Sequence, residues 1–312
     1  MKKFLKTLLW IFIIFFILIN FISATNAYKF THFYSPGEVV VKPAAQKGFW
    51  DKTGDILLGN NYIKKKNIPI PDSFSKVIFT TKDKTKLEAW YSAADKPKGS
   101  VALFHGYGDN KTDILQEGKA FLSMGYNVLL LDFRGHGNSG GNTCTIGYLE
   151  SEDVKLAFNF LKDKGEKNIV LWGISMGAAA VAHAVEEYNL QPSKIILEMP
   201  FATMQNAVEG QLKTMHLPAE PLGALLTFWG GVEHGFWAYN INPEHYVKDI
   251  HCPVLMQVGE HDIRVTPLER KEVFENLSQP KQLVIYKNSG HESLCKKEPA
   301  KWIASVSAFL NS

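Results

Sequence analysis

The stretch from Ile169 to Ala180 constrains this chain more than any other. It reads Ile-Val-Leu-Trp-Gly-Ile-Ser-Met-Gly-Ala-Ala-Ala. The run Ile169 to Trp172 has the length and apolarity of a buried strand. Gly173-Ile174-Ser175-Met176-Gly177 then fits G-x-S-x-G, and Ala178 to Ala182 continue as the start of a helix. A strand that turns this sharply into a helix strains the serine backbone and holds its hydroxyl clear of the sheet. A Cβ at Gly173 or Gly177 would collide with the neighbouring strand or helix. Taken alone, the pentapeptide is also compatible with a plain Gly-rich turn and an idle serine.

A nucleophilic serine needs a histidine base, and the histidine needs a carboxylate to fix its tautomer and stabilise the imidazolium. Both occur downstream. Pro253 to Val258 reads as a core strand, and Gly259-Glu260-His261-Asp262 is the loop that leaves its C-terminal end. A second strand, Gln282 to Tyr286, runs into Asn288-Ser289-Gly290-His291. Ser175, Asp262 and His291 each follow a strand, so three loops converge on one sheet edge.

His105-Gly106-Tyr107-Gly108, Asp132-Phe133-Arg134-Gly135-His136-Gly137-Asn138-Ser139, the turn at Ser175, Gly259-Glu260-His261-Asp262 and Ser289-Gly290-His291 together resemble the α/β-hydrolase superfamily. Within it they are similar to the serine-hydrolase branch of monoacylglycerol lipases, Bem46-like proteins and S33-type aminopeptidases. The resemblance covers about residues 75 to 310. It implies a mostly parallel central sheet with helices on both faces and a small cap, and a catalytic set of Ser175, Asp262 and His291 in the family's chain order. It also implies an oxyanion hole, with the backbone N–H of Met176 as one donor and that of Tyr107 as the other. His105 reads as a brace for its loop, and the Asp132–Ser139 segment as structural, with Asp132 and Arg134 able to pair. Serine at the turn argues against haloalkane dehalogenase or epoxide hydrolase chemistry, for which the family places aspartate there.

The alternation of strand and helix supports that architecture independently. Strands are expected at Val77–Thr81, Leu87–Ser92, Val101–Phe104, Val128–Leu131, Ile169–Trp172, Ile195–Leu197, Val254–Val258 and Leu283–Tyr286. The first two form an opening antiparallel pair. Helices are expected near residues 113–123, 150–164, 176–188, 267–276 and 299–310. Glu150 and Asp153 suit the positive end of the second. Between Pro200 and Tyr246 the rhythm lapses into about 45 residues rich in Phe, Trp and Leu. This is the place for a cap over residues 201–246, whose aromatics either shape an acyl pocket or glue the cap down.

Residues 1–24 read as a signal peptide or a membrane anchor. Lys2, Lys3 and Lys6 precede an unbroken apolar run from Leu8 to Ile19, longer than a minimal signal core and shorter than the ~18 residues of a spanning helix. Ser23-Ala24 and Asn26-Ala27 offer small residues for cleavage. The positive flank stays cytoplasmic, so the body is exported: periplasmic, membrane-anchored or secreted. Membrane association would run through residues 4–22. Those three lysines account for the whole net charge of +3, so the remainder is formally neutral and carries no nucleic-acid footprint. Residues 25–72 read as a leader to the main domain, 73–312. Lys64-Lys65-Lys66 in it is a solvated face or a contact for anionic lipid.

Cys144, Cys252 and Cys295 are too few and too scattered for a disulfide framework or a zinc site. His261 with Asp262, and His136 with Asp132, make poor metal sites. No cofactor is implied. The expected reaction is hydrolysis of a small-molecule or lipid-like carboxylic ester through an acyl-serine, with medium or long acyl chains favoured. An S33-type aminopeptidase or an acyltransferase would use the same residues, and an aminopeptidase would need a carboxylate such as Glu209, Glu220 or Glu233 for the substrate amine. A non-enzymatic binding protein on this fold is a separate possibility.

Overall fold

In the computed structural model, residues 1–278 and 280–312 are described. The chain opens with a single 30-residue helix, α1 (Lys2–Thr31). Its most apolar 18-residue window has a mean hydropathy of 2.5 and is almost wholly exposed. No proline or glycine occurs before Pro36-Gly37, so the helix runs through the small residues at 23–27 without a break. Its last turns pack inward, with Ser23, Ala27 and Thr31 buried. The leader is ordered around it. β1 (Phe33–Tyr34) and β2 (Tyr62–Ile63) pair in parallel, and α2 (Phe49–Leu58) lies between them in sequence.

The main domain follows as β3 (Ser75–Thr80), β4 (Lys86–Ser92), β5 (Ser100–Phe104), α3 (Leu115–Ser123), β6 (Asn127–Leu131), α4 (Glu150–Asp163), β7 (Ile169–Ile174), α5 (Met176–Tyr188) and β8 (Lys194–Glu198). After the cap helices α6 (Met204–Thr214) and α7 (Leu222–His234) and the short α8 (Pro243–Tyr246) come β9 (Val254–Gly259), α9 (Pro267–Asn276), β10 (Lys281–Tyr286), α10 (Leu294–Lys297) and α11 (Pro299–Asn311). The sheet order is β10-β9-β8-β7-β5-β6-β4-β3. Only the β3–β4 and β4–β6 contacts are antiparallel. The architecture expected from the resemblance is therefore present, with the opening antiparallel pair where the sequence put it.

Strands β5, β6 and β9 are buried at every residue, as parallel strands covered on both faces must be. One face packs Val154, Ala157 and Leu161 of α4 and the small residues Ala178 to Ala184 of α5. The other packs Phe121 of α3 and Trp302, Val306 and Phe309 of α11. The run of alanines lets α5 lie close to the sheet, which sets the height at which its N-terminus meets the strand ends. α7 packs against α1 and α6, so the helices between β8 and β9 form one layer with the N-terminal helix, and this layer meets the turn after β7 through Phe30, Phe201 and Ala207.

Candidate active site

β7 ends at Ile174 and α5 begins at Met176, leaving Ser175 alone at the turn with φ +53° and ψ −115°. A non-glycine residue holds such a backbone only when its surroundings impose it. The surroundings here do. The Ser175 N–H donates to the Glu198 carbonyl on β8 at 2.8 Å. A Cβ on Gly173 would stand 2.4 Å from the Gly177 carbonyl oxygen, and one on Gly177 would stand 2.2 Å from that of Phe104 on β5. Backbone fills the space that any side chain would need.

The loops after β9 and β10 meet beside this turn, tied by the His261 N–H donating to the Ser289 carbonyl at 3.0 Å. His291 Nε2 lies 2.9 Å from Ser175 Oγ, and His291 Nδ1 lies 2.8 Å from Asp262 Oδ2. The network assigns the tautomer: Nδ1–H donates to the carboxylate, and Nε2 accepts from the serine hydroxyl. The other Asp262 oxygen, Oδ1, accepts from the N–H groups of Arg264 at 2.8 Å and Val265 at 3.0 Å. Burial pushes the Asp262 carboxyl up, but the His291 hydrogen bond and charge and the two amides outweigh it and hold it below the usual carboxylate range. The structure thus brings Ser175, Asp262 and His291 into one hydrogen-bonded relay.

The amides of Tyr107 and Met176 flank the serine. Among the described residues neither donates a hydrogen bond within the protein. A cavity of about 420 Å³ opens beside Ser175, walled by Tyr107, Ser175 and His291 and carrying the charged Asp109, Arg264 and Lys296. Ser175 also borders a mostly apolar recess of about 40 Å³ between Phe30, Ile146, Phe201 and Val265. The site therefore has a charged cavity and a mostly apolar recess, both reaching the serine. Glu209, Glu220 and Glu233 line neither; Glu209 and Glu220 instead accept from the Gln205 side chain.

His105 braces its loop, as its position suggests: Nε2 accepts from the Phe133 N–H at 3.1 Å. His136, by contrast, reads as merely structural in sequence, yet its Nε2 accepts from the Gly108 N–H at 3.2 Å and so fixes the loop that carries the Tyr107 amide. Burial, with the neighbouring His105, drives its pKa down to about 4 and so keeps the ring neutral, and the Nδ1–H bond to the Arg134 carbonyl at 2.9 Å leaves Nε2 as the acceptor. The pairing of Asp132 with Arg134 does not occur. Asp132 takes the buried Lys111, and Arg134 takes Asp153 at 2.6 Å and Glu152 at 2.8 Å, because α4 presents its acidic first turn to the guanidinium.

Two further contacts have no signal in the sequence. The Tyr107 hydroxyl donates to the Phe30 carbonyl at 2.6 Å, and the two rings stack with centroids 4.7 Å apart. The last turn of α1 is thereby fastened to the loop beside Ser175. Beneath the turn, the Glu198 carboxylate accepts from the indole N–H groups of Trp172 at 3.0 Å and Trp302 at 2.5 Å, and burial pushes its pKa up to about 8.

Burial likewise lifts the Cys295 thiol to about 12, so this cysteine near His291 is a packing residue and not a second nucleophile. Among the described residues the metal-like grouping is His183, Glu186 and Glu187 on α5, which lines neither side of the Ser175 site.

Residues 95–230 match the family described as serine aminopeptidase, S33. The protein YqkD of Bacillus subtilis is 27% identical over 230 residues, covering 72% of this chain and 75% of that protein. Lysophosphatidylserine lipase ABHD12 of Danio rerio is 25% identical over 210 residues, and the match spans 62% of this chain and about half, 51%, of that lipase. Among solved structures, the esterase Pf2001 of Pyrococcus furiosus superposes with a TM-score of 0.65 at 25% identity, covering 80% of this chain and 96% of that one.

Proposed function

The chain belongs to the α/β-hydrolase superfamily, and from that premise we propose that it is a serine esterase of lipid-like carboxylic esters, acting through an acyl-serine. One observation carries the reading: the relay from Asp262 through His291 to Ser175, at 2.8 and 2.9 Å, at the edge of an open cavity and beside the Tyr107 and Met176 amides, which have no acceptor among the described residues. Similarity to an esterase and to a lysophosphatidylserine lipase supports an ester as the bond cleaved.

In the proposed reaction Ser175 Oγ attacks the ester carbonyl while its proton passes to His291 Nε2. The carbonyl electron pair moves onto oxygen, where the Tyr107 and Met176 amides receive it. Fixed donors of this kind are worth on the order of 10²–10³ each in rate. Collapse breaks the bond to the leaving alcohol, which takes the proton from His291. Water then repeats the sequence on the acyl-serine: His291 accepts its proton and returns it to Ser175 as the carboxylic acid departs. Asp262, held ionised by its two amides and by His291, stabilises the imidazolium in both halves. The polar cavity suits the alcohol part of the substrate, and the recess at Phe30 and Ile146 suits the acyl part.

The family description also names aminopeptidases. Hydrolysis rates on acyl esters and on aminoacyl-arylamides, measured on the wild-type chain and on Ser175→Ala, separate the readings. Esters are expected to be cleaved faster, and the rate to vanish in the variant. Faster cleavage of the arylamides would make the chain a peptidase, and retained ester hydrolysis in the variant would remove Ser175 as the nucleophile.

A further inference from the structure

The apolar recess at Ser175 does not end in the cap. Phe30 and Gln211 wall both it and a second recess of about 50 Å³. That second recess shares Asn26, Leu212, Met215 and Leu226 with a much larger apolar cleft of about 370 Å³. The far wall of the cleft is α1 itself, through Phe15, Leu18, Ile19 and Ile22. Three cavities thus stand in series, from the serine to the apolar surface of the N-terminal helix.

We propose that this series is the binding groove for one long acyl chain of the substrate, and that α1 is a permanent wall of it and not a removable leader. The proposal deepens the serine-esterase reading and rests on it.

Continuity with the Ser175 recess commits the groove to the acyl end of the ester, since the alcohol side is the polar cavity. An acyl chain also matches the walls, which are almost entirely hydrocarbon along the cleft. Helix α1 is built into the cap side by specific polar contacts as well as by packing. Asn20, the one polar residue within its apolar stretch, accepts from the Trp229 indole of α7 at 3.2 Å. Thr25 donates to the Leu57 carbonyl at 3.0 Å and Asn26 to that of Ile56 at 3.1 Å, fixing α2 to the same helix. Phe30 stands at the junction of the first two cavities and carries the carbonyl that holds Tyr107. Removal of residues 1–24 or 1–27 would take away the far wall and the Asn20 contact. Phe30 is therefore a positioning and specificity residue, placed where the chain enters from Ser175.

The test uses the full chain in detergent micelles or lipid nanodiscs. Catalytic efficiency (kcat/KM) is measured on p-nitrophenyl esters of increasing acyl length, with fluorophosphonate labelling of Ser175 alongside. Burial of each added methylene is worth up to about fourfold in kcat/KM while the groove is filling. The expected profile rises with length in the wild-type chain. In Met215→Trp, and independently in Leu226→Trp, the ratio of long-chain to short-chain kcat/KM falls at least about tenfold, because the indole fills the space that the chain would occupy.

A fluorophosphonate with a long alkyl chain and a terminal diazirine supplies the second readout. Once bound to Ser175 and irradiated, it is expected to crosslink to α1 or α6. Flat profiles in the wild-type chain and both variants, crosslinks confined to the Asp109–Ile114 side, or a membrane-derived chain whose mass begins after residue 24 would each overturn the groove. Failure of Ser175 to label, with no ester cleaved, would remove the esterase reading and the groove together. Labelling with a flat profile removes the groove alone.

Discussion

The rim of the sheet and the layer above it are built on opposite principles. At the rim, Ser175, Asp262 and His291 are held by backbone: strand ends, an amide pair on the carboxylate, and glycines whose missing side chains are replaced by carbonyl oxygens 2.2–2.4 Å from where a Cβ would be. In the layer above, α1, α2, α6 and α7 meet through side chains with gaps between them, and much hydrocarbon faces outward, including Trp50, Ile56 and Leu58 of α2. The difference separates two jobs. Under the proposed reading, chemistry that demands sub-ångström placement would sit on the backbone-held part, while accommodation of an apolar substrate would fall to the part with room left in it.

The largest test of this division is Ser175→Ala. It should lower ester-hydrolysis kcat by roughly 10⁶ while the far-ultraviolet circular dichroism spectrum stays native. A loss shared between the rim and the cap layer would show instead as a modest drop with altered structure. Next, Asp262→Asn should cost about 10⁴ in kcat, because an amide at this place favours the wrong imidazole tautomer. Steady-state rates on a short-chain ester measure it, and a loss below about tenfold would take Asp262 out of the relay.

Glu198→Gln probes the support beneath the rim through pH. The folded chain keeps the Glu198 proton up to about pH 8, whereas the carboxyl's ordinary value is 4.5. Between those values the folded state binds more protons than the unfolded one, so stability falls as pH rises through the window, by at most about 1.4 kcal/mol per pH unit, and levels off above 8. Urea midpoints at pH 5, 6.5 and 8.5 should decline in the wild-type chain, and the variant should decline less. Parallel lines for the two proteins would mean that Glu198 ionises without cost.

The smallest effect is expected at the seam between the two regions. Tyr107→Phe keeps the backbone amide but removes the hydroxyl that grips the Phe30 carbonyl. A loss of about 1–2 kcal/mol in thermal unfolding is expected. An unchanged melting curve would mean that the layer rests on the rim without being fastened to it.

The sequence was readable where function demands local backbone geometry. The G-x-S-x-G turn, the strand ends at Asp262 and His291 and the small-residue face of α5 each carry a short-range signature. The alternation of eight apolar runs with helical patterns was enough to place the eight strands of the sheet, though not their order across it. What could not be read depends on distant partners. Nothing near Arg134 indicates that its carboxylates come from α4 and not from Asp132, and a lone histidine at 136 gives no hint that it holds Gly108. The leader was hardest. Residues 25–72 contain prolines and a lysine run that look like a tether, but Phe33 is buried against the core and Phe30 stacks on Tyr107, contacts made across more than seventy residues. Helix periodicity alone also cannot tell where α1 joins the domain, because no proline or glycine breaks the helix and it is the burial of Ser23, Ala27 and Thr31 that marks the change.

An unbroken helix of 30 residues is a rod about 45 Å long. With its inner end gripped by the Tyr107 hydroxyl, that rod would act as a pedestal of set height if residues 1–24 serve as the anchor that the sequence suggests. An apolar medium receiving the first turns would then lie at a constant stand-off from Ser175, and under the proposed reading the depth from which a substrate is drawn would be decided by the geometry of one helix and not by diffusion of the whole molecule.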